Sequence, residues 1–281
     1  MITIMRYALL RWRGQIIGWG LALAALSLVI APLYEAVVQQ RALIEGLLQS
    51  LPPEFMVLIG NLDRIFSPAG FLEVRYFSML PLILGVFAVI IGSGLVASDE
   101  ENGTLDLILA QPVCRVELFI GRWLAFSVAL IGILFITWLG LVIAIRGAAL
   151  DLDGLAVAYP FIGLFGLLSW FGGLALLLSL IVPSRRLAAS LSGLVLVASY
   201  FVTTLAQLSA DLSGLATVSP LTYYQGGGAI EGLNAGDFLG LLLMSIVFVM
   251  IGLWLFQRRD IRIAGEGGWR LPSLIQKTQT Q

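Results

Sequence analysis

Six apolar blocks dominate the chain, at residues 15–38, 74–97, 118–145, 157–182, 188–208 and 237–257. Each is long enough to cross a bilayer, whose hydrocarbon core takes about 20 helical residues. Lipid offers no water to backbone N–H and C=O groups, so a spanning segment must pair them internally, as a helix does. The blocks predict an all-α integral membrane protein with six transmembrane helices. Charged residues make up 12% of the chain and hydrophobic residues 59%. Soluble domains carry roughly twice that share of charge. The net charge of -1 implies no general attraction to nucleic acid.

Between the blocks the chain is mixed. Residues 1–14 place Arg6, Arg11 and Arg13 among Ile4, Leu9, Leu10 and Trp12. That pattern fits a helix lying in the membrane interface, or a positive flank that sets orientation. The first block ends at Pro32, Tyr34 and Glu35 and not at a small-residue cleavage site, so it is expected to be retained. In the 39–72 loop, Leu43, Leu47 and Leu51 share one helical face. Phe55, Leu58, Ile59, Leu62, Ile65 and Phe66 also repeat at helical spacing. Two amphipathic helices at the outer surface are expected there, then a turn at Ser67-Pro68-Ala69-Gly70. Pro81 lies inside the second block and predicts a kink.

Charge sets the orientation. An even number of spans puts both termini on one side. That side collects Arg6, Arg11, Arg13, Arg115, Arg122, Arg185, Arg186, Arg258, Arg259, Arg262, Arg270 and Lys277. The other side holds only Arg41, Arg64, Arg75 and Arg146. Positive excess marks the cytoplasmic side. The termini, the 98–117 loop, the 183–187 turn and the 258–281 tail are therefore expected in the cytoplasm.

Several chemistries are excluded. There is no histidine, the commonest metal ligand and general base. The single cysteine, Cys114, can form neither an intrachain disulfide nor a thiolate cluster. The only lysine is Lys277, so no phosphate-binding Gly-x-x-x-x-Gly-Lys-Ser/Thr loop exists. No pair of carboxylates sits at the centre of a span, as a proton relay or intramembrane protease would want. The reading is a non-enzyme with no catalytic, metal or cofactor-binding residue. If ATP drives it, another chain binds the nucleotide.

The most polar loop between two long blocks is Asp99–Arg115, with the sequence DEENGTLDLILAQPVCR. Three carboxylates, Asp99, Glu100 and Glu101, stand where a short helix would start, with Asn102 or Thr104 as cap. Leu105, Ile108 and Leu109 then fall on one face, and Pro112 ends the helix. Two turns are unstable alone in water, so the apolar stripe should rest on the spans or on another protein.

This loop resembles the cytoplasmic loop of type-2 ABC transporter permeases. Their acidic pair, Gly-Thr-Leu and Pro-x-x-Arg are matched here by Glu100-Glu101, Gly103-Thr104-Leu105 and Pro112 to Arg115. The resemblance implies a coupling helix that docks on an ABC ATPase subunit, through Glu100, Glu101, Gly103, Thr104, Leu105 and Arg115. It implies ATP and Mg on that partner, two copies of it, and a second copy of this chain. In that family the N-terminal helix also leans on the ATPase. The last outer loop, 209–236, is similar to the family's re-entrant helices before the final span. Its Ser219, Pro220, Tyr223, Tyr224 and Gly227 carry the likeness. An ordinary interfacial hairpin fits the same residues.

One polar face stands out in the fifth block, where Ser192, Ser199, Thr203 and Gln207 share one side of a helix. Such residues glue helices by hydrogen bonds. Ser199, Thr203 and Gln207 would alternatively line a path or a dimer seam. In the fourth block Gly163, Gly166, Gly172 and Gly173 supply close helix contact. A path with so little charge at depth suits an apolar or amphipathic cargo. The expected function is the permease of an exporter in the bacterial inner membrane. The alternatives are a non-transporting scaffold or receptor subunit, and a permease for cofactor maturation of a secreted metalloenzyme.

Overall fold

A computed structural model describes residues 1–41, 66–105, 108, 110, 113–148, 150–208 and 213–258. Every described element is helical. The long helices are α1 (Ile2–Ile30), α4 (Leu80–Gly94), α6 (Arg115–Gly147), α7 (Ala158–Ile181), α8 (Arg185–Leu208) and α10 (Ala235–Arg258). Shorter helices fill the ends: α2 (Leu33–Gln39), α3 (Pro68–Leu72), α5 (Ala97–Glu101) and α9 (Ser213–Ala216). Among the described residues, six stretches are long and apolar enough to cross a membrane, and the chain is an all-α integral membrane protein. The last four spans fall within three residues of the sequence boundaries at each end.

Two boundaries differ. Residues 1–14 do not form a helix separate from the first span, because Ile2–Ile30 is one continuous helix. Gly14 sits inside it without breaking it. A single glycine costs only about 1 kcal/mol in a helix interior, and helix formers flank it on both sides. Ser67-Pro68-Ala69-Gly70, expected as a turn, starts a helix instead. The Ser67 side chain accepts the Gly70 N–H at 3.1 Å, and Pro68 takes the first helical position, where its missing N–H does no harm. The amphipathic helices expected from Leu43 to Ile65 lie outside the described residues.

Pro81 shapes the second span. Proline has no N–H to give the carbonyl four residues back, here Phe77, and its ring crowds that carbonyl. The chain responds upstream with a π-helical turn, Glu73–Phe77. The Ser78 N–H donates to the Glu73 carbonyl at 2.9 Å, five residues back.

The core is built on α7, which packs against α4, α8 and α10, while α1 lies along α6. Lipid is as apolar as leucine, so helices associate through close packing more than through hydrophobic transfer. A methyl at Gly140 would lie 2.3 Å from the Ala24 Cβ, and one at Gly92 would lie 2.5 Å from the Gly172 carbonyl oxygen. These positions let backbones approach where a larger residue would hold them apart. Phe126, Phe171, Leu164, Leu167 and Leu168 fill the space between, fully buried. Polar ties cross the seams. Tyr76 donates to the Leu23 carbonyl at 3.2 Å, and Ser245 donates to the Ser169 carbonyl at 2.8 Å.

Candidate functional site

The start of α1, the whole of α5, the start of α6, the α7–α8 turn and the end of α10 meet at one end of the bundle. The 99–115 segment lies in the middle of this meeting point.

Its local structure follows from Gly103. The Gly103 N–H donates to the Glu100 carbonyl at 3.2 Å, and the Thr104 N–H donates to the Asp99 carbonyl at 2.9 Å. Gly103 has φ +67°. This pairing is a Schellman stop, in which a left-handed glycine closes the preceding helix. The three acids therefore end helix α5 and do not begin a new one, contrary to the sequence expectation. Thr104 turns back, its hydroxyl lying 3.2 Å from Asp99 Oδ1. A second turn follows, with the Ile108 N–H on the Thr104 carbonyl at 3.1 Å. Leu105 is 2% exposed, and Ile108, partly buried, packs against the core. Leu105 and Ile108 thus rest on the spans of their own chain. Leu109 and Pro112 lie outside the described residues.

Carboxylates at a helix C-terminus oppose the helix dipole, so α5 needs cations. Asp99 is buried and paired with Arg122 of α6, with Arg11 of α1 at 3.8 Å. Arg122 also donates to the Leu95 carbonyl at the end of the second span. Glu101 accepts the main-chain N–H of Arg185, the first residue of α8, at 2.8 Å. Arg115 reaches across to the Phe256 carbonyl of α10 at 3.4 Å. Acids and arginines on this segment thus hold α1, α6, α8 and α10 together. Glu100 is half-buried and Glu101 is exposed.

Asp99, Arg122, Arg11 and Arg185 are the residues that sequence reasoning did not assign. One signal was available: Arg122 falls inside an apolar block, where a charge is expensive without a partner.

The far end of the bundle holds the other candidates. Ser219 donates to the Ser199 carbonyl at 3.1 Å, so the 2.8 Å contact between Thr203 and Ser219 is made by the Thr203 hydroxyl donating. These hydroxyls join α8 to the segment before the last span. That segment is two 3₁₀ turns, Pro220–Tyr223 and Gly226–Ile230. Tyr223 donates to the Thr217 carbonyl at 2.8 Å. Tyr224 donates at 3.4 Å to the Phe77 carbonyl, the acceptor that Pro81 leaves without its helical partner. Gly227 lies against the π turn, where a methyl would come within 2.8 Å of the Glu73 Cα. The Gln207 side chain lies outside the described residues. Thr203, Tyr200, Tyr224 and Glu73 line a cavity of about 340 Å³ between α8 and the π turn.

Comparison with known proteins matches this architecture. The family described as "ABC-2 family transporter protein" matches residues 21–261. "Uncharacterized protein YhcI" of Bacillus subtilis (strain 168) is 28% identical over 206 residues, covering 64% of this chain and 65% of that protein. The chain thus matches just under two thirds of that relative's length. Six membrane-capable helices among the described residues and a family match across most of them agree: this chain is a multi-pass membrane protein that belongs to the ABC-2 transporter family.

Proposed function

We propose that this chain is the permease of an ATP-driven exporter in the bacterial inner membrane, with both termini in the cytoplasm. It pairs with a second copy of itself and with two copies of a separate ATPase, which binds ATP and Mg. The cargo is apolar or amphipathic. The observation that carries this reading is the fastening of the 99–115 segment to four helices at once.

A load applied to such a segment moves helices as bodies. Closure of the ATPase pair would push on α5, and Asp99 and Glu101 would pass the push to α6 and α8. The permease then behaves as a two-state element, biased by the difference in ATPase contact between its inward and outward forms. Glu101, exposed, and Glu100, half-buried beside it, are the acidic edge offered to the partner. Leu105, buried within the chain, seats the segment and does not itself touch the ATPase. Six spans enclose no wide path in one copy, which favours a path between two copies. The segment before the last span would seal the outer end as a re-entrant element, held by Ser219, Tyr224 and Gly227.

The test is co-purification with the ATPase in mild detergent, using the charge reversals Glu100→Arg and Glu101→Arg. The reading expects loss of the complex, or loss of cargo-stimulated ATP hydrolysis, with the permease still folded. A complex and a stimulation indifferent to both changes would overturn it.

A further inference from the structure

The permease reading leaves one cleft unused. It holds about 270 Å³ at the end of the bundle where the 99–115 segment sits. Helix α1 forms one wall and the ends of α4 and α5 form the other, with Arg122 of α6 and Arg185 of α8 between them. Three guanidinium groups, Arg11, Arg122 and Arg185, line it against the single carboxylate of Asp99. Asp99 offsets Arg122. Arg185 gives one N–H to the Ile90 carbonyl at 3.2 Å, and the Arg11 side chain is 59% exposed. A guanidinium carries five N–H donors in a planar fork, so this set has capacity for a phosphate.

The cleft is also amphipathic. Tyr7 and Trp12 stand beside the arginines, as aromatic residues do at a membrane interface. Below them the same helix faces continue into the spans. Val86 and Ile90 of α4 are 46% and 47% exposed, and a methyl built at Gly18 of α1 would meet nothing within 4 Å. A groove that is cationic at its mouth and apolar along its length has the shape of one lipid. We propose that the cleft binds an anionic phospholipid of the inner leaflet, with its phosphodiester on Arg11 and Arg185 and its acyl chains along Val86 and Ile90. Basic pockets between spans recognise phospholipid headgroups in this way. The choice of leaflet rests on the orientation proposed above, and the binding itself does not.

The purified full chain in detergent micelles tests this without any ATPase, so failure here leaves the transport reading standing. Its thermal unfolding midpoint is titrated with dioleoylphosphatidylglycerol and, separately, with dioleoylphosphatidylcholine. Phosphatidylglycerol should raise the midpoint and phosphatidylcholine should not. Arg11→Gln and Arg185→Gln should each weaken the half-saturating concentration about fivefold, the attraction of one cation near a charged surface. Arg13→Gln, on the same helix but outside the cleft, should change nothing. Native mass spectrometry of the unaltered chain should retain phosphatidylglycerol over phosphatidylcholine, a readout independent of how the variants fold. Equal response to both lipids, or equal weakening by Arg13→Gln, overturns the site. Equal stabilisation by glycerol 1-phosphate would assign the cleft to a soluble phosphate and overturn the lipid.

Discussion

The main-chain N–H of Arg185 donates to the Glu101 carboxylate at 2.8 Å, so the end of one short helix caps the start of a long one. The first N–H groups of a helix have no partner within it, and a carboxylate there also meets the positive end of the dipole. This hydrogen bond links the end of α5 to the start of α8. Glu101→Ala should destabilise the permease by about 1 kcal/mol, the usual value of a lost cap. It should also lower cargo-stimulated ATP hydrolysis, while Glu101→Gln keeps most of the stability. Denaturant titration in detergent and steady-state ATPase assays read the two effects separately.

Asp99 and Arg122 are a buried pair, their side chains 8% and 14% exposed. Removing one partner leaves the other short of its counter-charge, at about 1–3 kcal/mol, since Arg11 still lies 3.8 Å from Asp99 and Arg122 keeps the Leu95 carbonyl. Asp99→Asn and Arg122→Gln are each expected to lower the unfolding midpoint strongly. The double variant should recover part of the loss, because no lone charge remains. A thermal melt of the three variants checks this.

Gly103 closes helix α5, and its φ of +67° disfavours most residues with a Cβ. Gly103→Ala should cost about 1–2 kcal/mol, and Gly103→Asn less, because asparagine tolerates that conformation. The same ranking should appear in cargo-stimulated ATP hydrolysis if the Schellman stop sets the angle at which the segment meets its partner.

At the far end, Tyr224→Phe removes the donor to the Phe77 carbonyl and should cost about 0.5–1.5 kcal/mol. Gly227→Ala pushes the backbone off Glu73 and should cost about 1–3 kcal/mol. Hydrogen exchange in residues 73–77 should rise in both variants, because both loosen the same π turn.

The spans were legible because lipid leaves a chain few choices: a long apolar run must pair its own backbone. The polar end was harder to read. Asn102 and Thr104 both look like caps for a helix that follows, yet Gly103 between them closes the helix that precedes. Capping residues signal a boundary more clearly than the side on which the helix lies. The arginines set the orientation, but their partners come from packing: Asp99 finds Arg122 only because the start of α6 reaches the end of the second span, where Arg122 also donates to the Leu95 carbonyl. The Tyr224 contact was hidden in the same way, since Pro81 predicts a kink without naming what satisfies the vacated carbonyl.

The most direct test of the coupling claim uses the chain's own reporter, Cys114, its single cysteine, which is exposed and lies in the 99–115 segment. A membrane-impermeant maleimide is applied to intact cells and to inside-out vesicles, with and without the ATPase subunit. The account predicts labelling only in inside-out vesicles, slowed about tenfold or more when the ATPase is bound, as docking worth about 1.4 kcal/mol would give. Labelling of intact cells, or a rate in vesicles unaffected by the ATPase, would contradict it.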